Sequence, residues 1–211
     1  MKTDQLIVAL AADAKGPRLD ARRGLWLALC LGMCLAVVTF SMTMGARADI
    51  AAALLTWRFD LKLVLVSGAL IAAMIDCARL LRPEVPPSLH WSTVMSALLL
   101  AVAVVFELAV TPRAEWGARL IGTNQLLCLI AVPTLALAPF VLLMWAMRRG
   151  APASPVWAGA AVGRLAAAMG AALYALHCFD DSPLFVAVWY SAAILIVSAA
   201  GAVIGARLLR W

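Results

Sequence analysis

The chain has 211 residues and a mass of 22.3 kDa, with 65% hydrophobic residues, 13% charged residues, a mean hydropathy of +0.99 and a formal net charge of +6. Soluble domains carry about 45–50% apolar and about 25% charged residues, and a folded surface needs more polar cover than this composition offers. A soluble globular domain, a disordered chain and a disulfide-stapled secreted domain are thereby excluded. The composition implies an all-α integral membrane protein.

Residues 1–23 read as a polar tail. Within it, Leu6, Ile7, Leu10, Ala11 and Ala14 form an apolar stripe at helical spacing, with Thr3 or Asp4 available as a cap. A short amphipathic helix needs cover for such a stripe, from a bilayer surface or a partner's groove. Lys2 and Lys15 only flank it, so its polar face is not basic, which favours a protein partner. Met1-Lys2-Thr3-Asp4 precedes no short apolar core with a cleavable end, so no signal peptide is expected.

Charges punctuate the remainder, because each costs roughly 2.5–3.5 kcal/mol at a membrane helix centre. Uncharged runs cover Gly24–Ala46, Val85–Phe106, Leu120–Met147 and Ser182–Ala206. Two more apolar stretches are interrupted: Leu63–Leu81 by Asp76 and Arg79, and Val156–Cys178 by Arg164. Each supplies the ~20 apolar residues of a spanning helix. The expectation is a six-helix transmembrane domain over 24–206 and a C-terminal tail over 207–211. Trp57, Trp91, Trp116, Trp145, Trp157 and Trp211 fall near span ends as interfacial anchors, with Trp26 and Trp189 further in.

Six spans put both termini on one side. With the N-terminus inside, Lys2, Lys15, Arg18, Arg22, Arg23, Arg79, Arg82, Arg148, Arg149, Arg207 and Arg210 are cytoplasmic, joined by Arg164 if it snorkels. Arg47, Arg58, Lys62, Arg113 and Arg119 fall on the other face, which Asp49, Asp60, Glu115, Asp180 and Asp181 nearly neutralise. This asymmetry supports an N-in, C-in topology. The positive charge is thus topological and implies no nucleic acid partner.

The loops are short, the longest about Arg47–Leu61, so neither side holds a soluble catalytic domain. The spacing of Asp76 and Arg79 favours an intrahelical ion pair. Glu107 is within reach of Arg113 or Arg119, and an intramembrane carboxylate is also a functional candidate. Pro133 and Pro139 imply kinks in the fourth helix. Gly159-x-x-x-Gly163 and Gly201-x-x-x-Gly205 offer close-packing faces, for helices within one chain or for a homo-oligomer.

Of five cysteines, Cys30 and Cys34 share a helix face where a disulfide is disfavoured, and they read, like Cys77, as small buried hydrophobes. Cys128 and Cys178 differ, because both fall toward the outer, oxidising face. They are either a thiol-reactive pair or two unrelated cysteines. His177, Cys178, Asp180 and Asp181 are metal-ligand types, though neighbouring residues seldom all reach one ion. Asp180-Asp181-Ser182-Pro183 also reads as a helix start.

Four segments carry a resemblance: Met1-Lys2-Thr3-Asp4-x-Leu6-Ile7-x-x-Leu10-Ala11, Gly122-x-Asn124-x-x-x-Cys128, Arg148-Arg149-Gly150-Ala151-Pro152, and Ala175-Leu176-His177-Cys178-x-Asp180-Asp181-Ser182-Pro183-x-Phe185-x-x-x-Trp189-Tyr190. Together, and over the whole chain, they resemble the NrsF family, bacterial negative regulators of the extracytoplasmic-function (ECF) sigma factor sigma-F. The resemblance implies a multi-pass anti-sigma factor of the bacterial cell inner membrane, with transcription regulation as its role and no enzymatic activity. Such a protein sequesters its sigma factor until heavy-metal or oxidative stress is sensed. The sensing cysteines of the family, facing the periplasm, match Cys128 and Cys178. His177, Asp180 and Asp181 are then candidates to assist them, with Cys128, Cys178 and His177 as ligands of a transient heavy-metal ion and no obligatory cofactor. The tail residues Lys2, Asp4, Leu6, Ile7 and Leu10 become the sigma-binding candidates.

The alternative is a small membrane thiol-redox enzyme or transporter. It is disfavoured because no outer Cys-x-x-Cys is present and no pair of interrupted helices repeats in the two halves. Orientation is testable directly. A reporter active only in the periplasm should be silent when fused after Trp211 and active when fused between Arg113 and Trp116; the reverse pattern overturns the Lys and Arg argument.

Overall fold

The computed structural model describes residues 21–82, 90–150 and 152–210. Six long helices follow one another: α1 (Ala21–Thr43), α2 (Trp57–Leu80), α3 (Trp91–Val110), α4 (Gln125–Arg148), α5 (Pro155–Ala175) and α6 (Pro183–Leu208). Each is long and apolar enough to cross a membrane, and no strand occurs among the described residues. The end holding residues 44–56, 111–124 and 176–182 is called distal here, and the opposite end proximal. The tail residues Lys2, Asp4, Leu6, Ile7 and Leu10 lie outside the described residues.

Helix starts depart from the expected ones where a charge or a turn residue sits. α2 begins at Trp57 rather than Leu63 and takes in Arg58, Asp60 and Lys62. Such charges ordinarily mark a loop, yet two of them are paired inside the bundle. α3 begins at Trp91 rather than Val85, with His90 accepting a hydrogen bond from the Ser92 N–H as its cap. α4 begins at Gln125 rather than Leu120. A short helix over Trp116–Ile121 precedes it and ends at Gly122, whose φ of 62° reverses the chain.

α5 is the centre of the bundle, packing against α1, α2, α4 and α6. Its buried faces are mostly Ala and Gly, which lets neighbouring backbones approach closely. A Cβ on Gly159 would strike the Gly201 carbonyl, one on Gly163 the Val197 carbonyl, and one on Gly205 would lie 2.6 Å from the Pro155 oxygen. The two glycine motifs therefore serve one intrachain interface, α5 on α6. On the other side, Gly170 of α5 meets the Val132 carbonyl beside Pro133, and Gly32 of α1 meets Pro139. Both prolines of α4 thus lie where a neighbouring glycine leaves room for the backbone they disturb.

α6 is not α-helical throughout. After Pro183–Phe185 it runs as π-helix over Val186–Tyr190 before resuming as α-helix over Ser191–Leu208. α1 and α3 are peripheral, and Cys30 and Cys34 lie exposed on α1 instead of buried. Cys77 is buried as expected.

A polar tie joins α2, α3 and α5 toward the proximal end. Asp76 does not pair with Arg79. It accepts from Arg164 of α5, from Thr93, and from Ser92 at 3.0 Å, with His90 Nδ1 at 3.2 Å. Arg164 therefore turns inward rather than snorkelling to the interface, because an unpaired carboxylate in the apolar interior would cost more than extending one guanidinium to it.

Backbone-to-backbone contact leaves no flexible side chain to move aside, so Gly201→Ala should destabilise by about 3 kcal/mol, the upper end of overpacking effects. Gly24→Ala, where nothing lies within 4 Å of the new methyl, should be neutral or stabilising. Thermal unfolding of the two detergent-solubilised variants checks the contrast.

Candidate functional site

The distal end gathers a connected cluster of charged residues from α2, α3 and the distal loops. Lys62, one turn and a half into α2, has no exposed side-chain surface. Its ammonium donates to Asp181 and, at 2.8 Å, to the carbonyl oxygen of Cys178, and it lies 5.0 Å from the Phe59 ring centroid. Asp181 also accepts from Arg47 Nη1 at 2.9 Å. Arg47 in turn donates from Nε to Asp49 at 2.7 Å, and its guanidinium lies over the Phe179 ring at 4.5 Å. The Arg47 guanidinium bonded to Asp49 holds that carboxyl below the usual carboxylate range, and its own value is raised by the same bond.

These contacts fix the α5–α6 loop from several sides. The backbone N–H of Arg47 donates to the Leu176 carbonyl at 3.0 Å, and His177 Nδ1 lies 3.0 Å from the Gly45 carbonyl oxygen. Asp180 faces α4: it accepts from the backbone N–H groups of Thr123 at 3.1 Å and Asn124 at 2.9 Å, and from the Asn124 amide at 3.0 Å. The positive φ of Gly122 aims those two N–H groups at the carboxylate, and a Cβ there would meet Asp180 and Phe185. Neither aspartate caps α6. Ser182 does so by accepting from the Leu184 N–H, with Pro183 in the first turn.

Glu107 is the other wholly buried charge. It accepts from Arg119 at 3.3 Å, as the sequence allowed, but its second partner is Arg58 at 3.2 Å. Arg113 instead lies 5.9 Å from the Trp116 ring centroid. Ser182 donates to Glu107 at 3.4 Å, which links this pair to the α5–α6 loop. Trp189 likewise is no free anchor, since its Nε1 donates to the Leu120 carbonyl at 2.9 Å.

Inside this charged rim the two distal cysteines are brought together. Cys128, in the first turn of α4, and Cys178 are both fully buried in one apolar cluster with Tyr174, Phe185 and Tyr190. Each thiol lies within electrostatic reach of Lys62 and Asp180, and Cys128 within reach of Cys178. Both are free thiols. Burial pushes the Cys178 thiol up, against the opposing pull of Lys62, so it stands as the neutral thiol at pH 7. Cys178 Sγ makes a long contact, 3.9 Å, with the Asp180 carbonyl and lies beside the Tyr174 and Tyr190 side chains.

The expected clasp of Cys128, Cys178 and His177 is not assembled. No group of three or more His, Cys, Asp or Glu residues among the described residues is placed to hold a metal ion. His177 is occupied by Gly45, and Asp180 and Asp181 by Asn124, Lys62 and Arg47. The donors that remain are the two sulfurs, which suit a soft ion. Lys62, Arg47 and Arg58 belong to the site although their charges had marked them only as loop residues; a lysine followed by an uninterrupted apolar run was the available signal.

Residues 10–211 match the family model described as NrsF, negative regulator of sigma F. The chain belongs to the NrsF family. Over the full length of both chains it is 32% identical to the anti-sigma-F factor NrsF of Caulobacter vibrioides and 30% identical to the probable anti-sigma-F factor NrsF of Azospira oryzae. No solved structure matches the chain. NrsF proteins are negative regulators by description.

The ion pair at the heart of this NrsF site yields an asymmetric prediction. Asp181→Asn strands the Lys62 ammonium in the interior and should cost about 3–5 kcal/mol. Lys62→Met should cost less, because Asp181 keeps Arg47 and retains 17% side-chain exposure. The double variant should be no worse than Asp181→Asn alone, read as thermal unfolding in detergent; equal losses for the two single changes would refute the asymmetry.

Proposed function

We propose that the chain is a multi-pass inner-membrane anti-sigma factor, N-in and C-in, that binds an ECF sigma factor of the sigma-F type at its cytoplasmic face. It releases the sigma factor when the periplasmic Cys128–Cys178 pair reacts with a heavy-metal ion or an oxidant. The observation that carries the reading is the burial of these two thiols within electrostatic reach of one another, in a chain matched end to end by anti-sigma-F factors. Cys128 and Cys178 would hold a soft ion through sulfur, which supplies a cross-link between the start of α4 and the α5–α6 loop. Oxidation would join the same two points if the Cα atoms come within about 7 Å.

Either event changes how α4 is tethered at its distal end. α4 carries Pro133 and Pro139 at its contacts with α5 and α1 and ends at Arg148 beside the proximal loop. A shift passed along it would reach Arg148 and Arg149 at the face where sigma binds. A coupling of about 1–3 kcal/mol changes an affinity roughly 5–150-fold, enough to switch a sigma factor. The stripe of Leu6, Ile7 and Leu10, with Lys2 and Asp4, is the proposed contact on this side.

A sigma-dependent transcription reporter tests both halves in one strain set. Deletion of residues 2–14 should raise reporter output without stress while the protein stays in the membrane. Cys128→Ser and Cys178→Ser should each abolish induction by Cd(II), and the double variant should be no worse, whereas Cys30→Ser, Cys34→Ser and Cys77→Ser should respond normally. Full repression by the truncated protein would move the sigma contact to Arg79, Arg82, Arg148 and Arg149. Normal induction in both distal single variants would remove the pair from the sensor.

A further inference from the structure

Tyr190 ends the π-helical turn of α6 and is 1% exposed. Its ring packs against Tyr174 at 5.7 Å between centroids and against Phe185 edge-on at 6.1 Å. Its hydroxyl forms no hydrogen bond of good geometry, although the Cys178 thiol is near enough to be a weak partner and the Cys128 thiol and Tyr174 side chain lie within electrostatic reach. Tyr174, its neighbour in the cluster, is different: its hydroxyl donates to the Asn124 carbonyl at 3.4 Å. A phenol that packs in a dry core without a partner is unfavourable relative to phenylalanine. The π turn is itself a costly irregularity of a kind found at functional sites, and here it delivers Tyr190 to the thiols.

A neutral thiol is a weak acceptor, whereas a thiolate is a strong one. The idle hydroxyl therefore matches the site's reacted form better than its resting form. Binding of a divalent soft ion by the pair converts two S–H groups and one M2+ into one M(SR)2 unit and two protons released to water. Two positive charges enter and two leave, so the buried site gains no net charge. The sulfur then carries excess negative charge beside Tyr190.

We propose that Tyr190 is a positioning residue of the sensor: its hydroxyl donates a hydrogen bond to the Cys178 sulfur once a soft divalent ion is bound, and so stabilises the ion-bound state over the resting one. This rests on the sensor reading of Cys128 and Cys178 given above. Tyr190 thereby biases α6 as well as α4, because the residue belongs to the helix that packs along the whole of α5.

The test uses the purified full-length protein in detergent, titrated with Cd(II) and followed by the sulfur-to-cadmium charge-transfer absorption. Wild type should show the band, and Cys128→Ser and Cys178→Ser should lose it. Tyr190→Phe should keep the band at lower energy with affinity reduced about tenfold, the effect of one charge-assisted hydrogen bond. The ion-free Tyr190→Phe protein should melt no lower than wild type, since it loses only a weak contact to a neutral thiol. Replacing Tyr190 by 3-fluorotyrosine, a stronger donor of nearly the same shape, should move the band to higher energy. If both serine variants bind Cd(II) as wild type does, the sensor reading fails and the role of Tyr190 with it. If they lose binding while Tyr190→Phe and the fluorotyrosine protein keep wild-type affinity and band position, the role of Tyr190 alone is overturned. A lower melting temperature of Tyr190→Phe with unchanged affinity and band position also overturns it, by showing a packing role.

Discussion

An ammonium withdrawn from solvent has to be answered by a carboxylate, and at the distal end of this bundle the pairing of Lys62 with Asp181 determines what surrounds it. The loop between α5 and α6 has to run over the end of α2 for Asp181 to reach Lys62, which puts the Cys178 carbonyl on the same ammonium. Arg47 joins from the loop after α1 and shares the carboxylate. Removing a charge from water costs several kcal/mol even after relaxation, so these groups hold only as a set. The thiols inside the set inherit its geometry.

Among the described residues such sets occur at both ends, and they divide the labour of holding the bundle together. The distal one ties α2 to the α5–α6 loop, while Glu107 with Arg58 and Arg119 ties α2 to α3. The proximal one ties α2, α3 and α5 through Asp76 and Arg164. In an apolar surrounding, hydrophobic burial gives helices little reason to associate with one another rather than with lipid. Peripheral α3, with only Ala103 and Glu107 buried, is therefore held mainly by polar bonds at its two ends. Central α5 is held by the opposite device, close contact of bare backbones with α6 and α4.

Much of this was readable in sequence because it is local. Runs of apolar residues between charges gave six helices, and glycines four apart gave a packing face. Ser182-Pro183 marks the start of the sixth helix, whereas the turn at Gly122 falls inside the expected fourth span. What escaped was long-range. Asp76 stands three residues from Arg79 but binds Arg164, 88 residues away, and no helical spacing encodes that choice. Lys62 carries the signal of a loop because a charge ordinarily marks one, whereas here its counter-charge is supplied from residue 181. Cys30 and Cys34 were expected inside, but α1 is hydrophobic all round and its composition does not distinguish the face toward α4 from the one away from it. The direction of His177 is long-range for a related reason: adjacent residues in a tight loop point to different neighbours, and His177 points to Gly45.

The π turn in α6 has a consequence for how this chain can vary. A turn that holds one residue more than an α turn advances everything after it by about 100° around the helix axis. Tyr190 faces inward, and Gly201 and Gly205 face α5, only with that extra residue present. Substitution within 186–190 changes volume and polarity at one place. Loss of a single residue there would restore an unbroken α-helix and swing the glycine face away from α5 along its whole length. For this stretch the number of residues constrains the fold more tightly than their identity.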